Sequence, residues 1–208
     1  MTELLVPLLL TFISLYALIR KQDVYALLLS GLAMQMTGNS RPASGAEHHL
    51  AHLWEMEILH APMEALHGER VGVGMLLAER YYRKFQEAIE DGRCRVRPYA
   101  GPEEKLLQDT FGQKGVYEEV IAENTPDPLL EIDPERLERA LPEIAEILED
   151  IPSQERLRAM MRDGGCCTEL SEIGLAEELA EQSLQLAPYV RRRLSFLKLT
   201  KMLAIEGE

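Results

Sequence analysis

Apolar residues in this chain recur mostly at three- and four-residue spacing, which predicts helices almost throughout and no strong strand. Leu5, Leu9, Phe12, Tyr16 and Ile19 form one such stripe near the start, in the run MTELLVPLLLTFISLYALIRK. Its apolar stretch, Leu4 to Ile19, is sixteen residues, short of the roughly twenty that span a bilayer, and Pro7 interrupts it. Glu3 precedes the stretch, no Lys or Arg does, and no small-residue cleavage site follows, so it reads as a buried helix rather than an export signal. Val24 to Met36 predicts a second helix, and Gly38 to Gly45 a loop rich in Gly, Ser and Pro.

Beyond the loop a helical run carries Trp54, Met56 and Leu59 among its apolar residues. A break at His67-Gly68 precedes a second helix whose first turn holds His67, and Val71 to Ile89 continues as a long helix with Met75, Tyr82 and Phe85 on its apolar side. Asp91-Gly92 ends it, and Arg93, Arg95 and Arg97 follow in an extended, solvated piece. Shorter helices are expected over Pro102 to Thr110 and Gly115 to Asn124. Asp133-Pro134 is a cap followed by proline at the first helical position, and Pro142 is expected to restart a second short helix toward Asp150. Ser153 opens another that stops at Gly164-Gly165, and Ser171 or Gly174 introduces a run through Leu186. Pro188 then begins a last helix whose inward stripe is Val190, Leu194, Leu197 and Met202. The reading is one all-α domain over 1–208, with the glutamates between Glu131 and Glu155 as its charged outer face.

Length and an apolar content of 46% suffice for a sizeable core. A formal charge of -13 argues against nucleic acid as a partner, since phosphate backbones are gripped by excess Lys and Arg. Cys94, Cys166 and Cys167 make no disulfide framework, and the adjacent pair lacks CxxC spacing, as expected of a reduced cytoplasmic protein.

The candidate chemistry lies between residues 38 and 74. All five histidines, His48, His49, His52, His60 and His67, fall there. On a helix His48 and His52 share a face, and two neutral imidazoles at that spacing can share a divalent cation or divide the work between metal and proton. His67 lies fifteen residues beyond His52 on the next helix, so two helices can converge on one ion. An HxxxH pair alone is equally compatible with packing. Arg41, the one cation beside the histidines in the loop, either meets a substrate phosphate or pairs with Glu47 or Glu55.

SGLAMQMTGNSRPASGAEHHLAHLWEME, followed by ALHGERVGVGMLLAE, resembles the metal-binding core of bacterial sn-glycerol-1-phosphate dehydrogenases of the AraM type, relatives of dehydroquinate synthase and the iron-containing alcohol dehydrogenases. LAPYVRRRLSFLKLTKMLAI is similar to that family's last helices, so the likeness runs from about Leu27 onward. The resemblance implies a multi-helix dehydroquinate-synthase-like C-terminal domain, with His48 and His67 as ligands of zinc or nickel and His52 as the catalytic contact near the reacting oxygen. His49 and His60 match no family ligand. The implied activity is NAD(P)-dependent reduction of dihydroxyacetone phosphate to glycerol 1-phosphate, a cytoplasmic step of phospholipid metabolism. The family's glycine-rich nucleotide-binding α/β domain has no counterpart here. Its third ligand, an upstream aspartate, is not matched either, because Asp23 in IRKQD lies in a connector. The resemblance therefore implies a separate nucleotide-binding subunit, with self-association open. A non-catalytic helical domain, binding metal or a partner, and a truncated remnant of the enzyme are the alternatives.

Overall fold

The structure, a computed structural model, describes residue 28 and residues 31–32, 34–38, 44–59 and 62–207. The chain divides into two units, Met1–Gly45 and Ala46–Glu208. In the first, residues 28, 31–32 and 34–37 are helical, within the helix expected over Val24 to Met36. The Leu4–Ile19 helix, Asp23, Arg41 and His60 lie outside the described residues.

The second unit is a layered assembly of helices: α1 (Ala46–Glu55), α2 (His67–Glu90), α3 (Glu104–Phe111), α4 (Tyr117–Glu123), α5 (Pro134–Glu149), α6 (Gln154–Asp163), α7 (Ala180–Leu186) and α8 (Phe196–Leu199). It is an all-α architecture with one small sheet, in which β1 (Cys94–Val96) and β2 (Leu203–Ile205) pair antiparallel, Cys94 facing Ile205 and Val96 facing Leu203. Among the described residues no helix is long and apolar enough to cross a membrane.

α2 is the central rod. Its Val73 and Leu77 join Leu50, Leu53 and Trp54 of α1 in one apolar cluster with Leu107, Phe111, Leu186 and Tyr189. Further along, Phe85 and Ala88 join Leu137, Leu141, Met202 and Ile205 in a second. Trp54 is fully buried and donates its indole N–H to the Ser183 hydroxyl at 2.9 Å, which satisfies its polar edge and ties α1 to α7.

α1 and α2 approach closely at Gly74. A Cβ there would stand 2.9 Å from the Glu47 carbonyl oxygen and 3.3 Å from Leu50 Cβ, so only glycine lets the two backbones meet. That approach is what sets the α1 histidines against the start of α2.

Lys198 is fully buried and anchors α8. Its Nζ donates to Asn124 Oδ1 at 2.7 Å and lies 3.4 Å from Asp127 Oδ2, which also accepts from the Tyr99 hydroxyl at 2.9 Å. Burial pulls the lysine pKa down while the Asp127 carboxylate opposes that pull. Asp127 Oδ1 also caps the following turn by accepting from Leu129 N–H at 3.0 Å.

Three local expectations are corrected. Pro142 does not restart a helix: α5 runs unbroken from Pro134 to Glu149, because Leu137, Leu141, Ala145 and Leu148 bury along one face on both sides of it. Pro188 does not open a long last helix. It sits in a 3₁₀ turn, Ala187–Tyr189, and the rest of the segment divides into the single turn α8, a second 3₁₀ turn, Thr200–Met202, and β2. Leu194, expected to face inward, is exposed. The arginine-bearing piece is extended and its arginines are exposed, as expected; it also forms β1 of the sheet, with Arg95 paired to Glu206 at 3.1 Å and Arg93 to Asp91 at 3.0 Å.

Gly74→Ala is expected to cost about 1–3 kcal/mol in urea denaturation by forcing the helices apart. Gly72→Ala, which meets only the mobile Met161 methyl at 2.9 Å, should change stability by less than about 1 kcal/mol. Asp127→Ala, which strips a buried lysine of its countercharge, should cost about 3–5 kcal/mol in the same measurement.

Candidate metal centre

The site is built from the solvent-facing side of α1 and the first turn of α2. Helical spacing puts His48, His52 and Glu55 on one face of α1, while His49, one position off, turns into the core. The chain leaves α1 through Glu57, held in the left-handed region at φ 52°. α2 starts at His67 because Glu69, three residues past Leu66, reaches back to accept the Leu66 N–H at 2.7 Å. The helix is continuous from His67 through the small residues Gly68, Gly72 and Gly74, so it begins four residues earlier than the Val71 start of its apolar pattern.

The structure brings His48, His52 and His67 together. Ring centroids are 6.3 Å apart for His48 and His52, 5.6 Å for His48 and His67, and 5.3 Å for His52 and His67. Each ring has one nitrogen on a carboxylate. His48 Nδ1 is 2.9 Å from Glu47 Oε1, His52 Nδ1 is 2.9 Å from Glu55 Oε2, and His67 Nδ1 is 2.5 Å from Glu55 Oε1. One ligand atom each from His52, Glu55 and His67 lies within 4.8 Å of the others. Arg70 closes the cluster, its Nη1 3.4 Å from Glu55 Oε1 and its Nη2 donating to the Met63 carbonyl at 3.1 Å.

Burial raises the pKa of Glu55, but hydrogen bonds from His67 and His52 outweigh it and hold the carboxyl below its ordinary range. The carboxylate is therefore ionised at neutral pH, a negative centre among three imidazoles. His67 is about half exposed, which leaves the cluster open to solvent and to a small substrate.

Glu55 is the residue that sequence reading missed as part of the cluster, having placed it only as a partner for Arg41. A signal was present: Glu55 is three residues beyond His52, hence on the same helix face. His49 is 1% exposed with neither ring nitrogen hydrogen-bonded, and burial, with Arg193 adding to it, depresses its pKa to about 4. It is a neutral packing residue. The cysteines are all free, and the Cys167 thiol pKa is raised by burial and the Glu69 carboxylate, so it stays protonated.

Two helices of an all-α unit bring three imidazoles and an ionised carboxylate together, and among the described residues His52, Glu55 and His67, but not His48, offer donor atoms close enough to share one metal ion. The chain is 35% identical over 168 residues to a glycerol-1-phosphate dehydrogenase [NAD(P)+] of Geobacillus thermodenitrificans, a match covering 80% of this chain and 34% of the relative. Its counterpart in Halalkalibacterium halodurans is 29% identical over 173 residues, 83% of this chain and 35% of the relative. A shorter match, 43% identical over 74 residues, joins 35% of this chain to 18% of the Bacillus subtilis protein of the same name. The chain is thus similar over about four fifths of its length to glycerol-1-phosphate dehydrogenases, as a domain of that family would be, and it spans about a third of the length of the first two of these relatives. No family model and no solved structure matches.

The His49 geometry has a consequence for acid stability. The folded pKa of about 4 lies below the unfolded value of 6.5, so the unfolded chain takes up the proton first. The contribution of neutral His49 is full above about 6.5 and is lost as pH falls toward 4, up to about 3 kcal/mol. Replacing His49 with Leu should flatten that part of the stability–pH curve in urea titrations between pH 7 and pH 4.

Proposed function

We propose that this chain is the metal-holding part of an NAD(P)-dependent sn-glycerol-1-phosphate dehydrogenase acting on dihydroxyacetone phosphate, the nicotinamide nucleotide being bound by a separate nucleotide-binding subunit. The observation that carries the reading is the convergence of His48, His52 and His67 from two helices, with each Nδ1 on a carboxylate. Such a donor set fits zinc or nickel, whose borderline character suits imidazole, and does not choose between them.

His48 and His67 would hold the ion. Bound there, it supplies Lewis-acid stabilisation of the substrate oxygen as charge develops on it during hydride transfer. His52, one turn along from His48, orients that oxygen and carries its proton, taking it from the alcohol in one direction and returning it in the other. The covered side of α1, with Leu50, Leu53 and Trp54 fully buried, keeps the helix from shifting when substrate enters.

Zinc content after purification tests the ligand assignment: His48→Ala and His67→Ala should each lose most of the bound metal, while His52→Ala keeps it. In the complex with its nucleotide-binding subunit, recovered from the host and weighed by native mass spectrometry, His52→Ala should lower kcat by about 10²–10⁴. Full metal retention in a His48→Ala, His67→Ala double variant would remove the reading.

A further inference from the structure

We propose that Glu55 is a positioning residue: a single carboxylate that fixes His52 and His67 in the same tautomer, so that the Nε2 atom of each is the one presented for chemistry. The inference rests on the metal-site reading above only for its effect on affinity, and its geometry belongs to the chain itself.

A neutral imidazole carries one N–H, and the nitrogen without it has the lone pair that binds a metal or takes a proton. An ionised carboxylate can only accept. The nitrogen that faces it must therefore be the one that keeps the hydrogen. Glu55 meets His52 Nδ1 with Oε2 at 2.9 Å and His67 Nδ1 with Oε1 at 2.5 Å. Both rings accordingly donate Nδ1–H to it, and both leave Nε2 with its lone pair. Histidine side chains in water favour the opposite tautomer, so this preference has to be imposed by a partner. Glu55 is the last residue of α1 and His67 the first of α2, so one side chain couples the proton-handling ring on the first helix to a metal-holding ring on the second.

Arg70 supports the arrangement. Its Nη1 is 3.4 Å from Glu55 Oε1 while its Nη2 is anchored on the Met63 carbonyl, so a fixed positive charge stands beside the carboxylate oxygen that meets His67. His48 has its own carboxylate, Glu47, at 2.9 Å. The three rings are thus served by two acids with separate assignments. Carboxylates that orient metal-binding histidines in this way raise ligand basicity as well as fixing the ring.

The test is the tautomer itself, read in the metal-free full chain. Long-range ¹H–¹⁵N correlation spectra of the labelled protein near pH 8 should show His48, His52 and His67 as Nδ1–H. In Glu55→Gln, His52 and His67 should move toward Nε2–H while His48 is unchanged; in Glu47→Gln, His48 alone should move. Glu55→Asp, one methylene shorter with the charge retained, should keep at most one of the two rings as Nδ1–H. The buried His49 signals report that each variant is folded. Zinc affinity, measured by competition with a chromophoric chelator, should fall about 10–100-fold in Glu55→Gln. Unchanged tautomers for His52 and His67 in both Glu55 variants overturn the proposal. Should the tautomers shift as stated while the parent chain binds no zinc, the positioning role stands and the metal reading of the preceding subsection fails.

Discussion

The contact on which the site depends is a backbone one. Where α2 crosses α1, Gly74 comes close enough to the Glu47 carbonyl that a methyl group has no room. Everything chemical lies one or two turns from that point. Glu47 itself holds His48, and His67 begins the helix that Gly74 lets in. The rest of the unit braces the pair: Trp54 hydrogen-bonds to α7, and Leu50 and Leu53 close against α2. Packed interiors respond to a misplaced methylene, so a cluster of three rings within about 6 Å requires such a rigid crossing.

The electrostatics follow from the same placement. Three imidazoles brought together would repel one another if protonated, and in water nothing fixes which nitrogen of each is free. Two glutamates on α1 remove both difficulties, and Arg70 balances the second of them. Both acids sit on α1 beside His48 and His52, and only the Glu55–His52 pair, three residues apart, follows from helical periodicity; Glu55 reaches His67 because α2 begins beside the end of α1.

Much of this was legible in the residues. His48 and His52 shared a face because of their spacing, and the all-α class followed from apolar periodicity. The likeness in SRPASGAEH and the downstream His67-Gly68 agreed with the relatives found. Glu55 could have been placed beside His52 by its three-residue spacing, but its pairing with His67 crosses a helix break, where periodicity does not reach. Pro142 was overestimated as a punctuation mark: buried leucines on both sides of it outweigh one missing hydrogen bond. β1 and β2 were invisible because strands of three residues carry too little alternation to register, and their pairing partners lie far apart in sequence.

That small sheet has a bearing on how the molecule avoids its own kind. β1 pairs with β2 on one edge, and its Val96 N–H, instead of waiting for a third strand, donates to Glu138 Oε2 of α5 at 2.8 Å. Open strand edges recruit other strands, from a second copy or from an unfolded neighbour. Here a carboxylate takes the donor that an incoming strand would use and adds a negative charge where that strand would lie. The outer edge of β1 is thereby closed to a third strand, and the protein loses one ready route to aggregation.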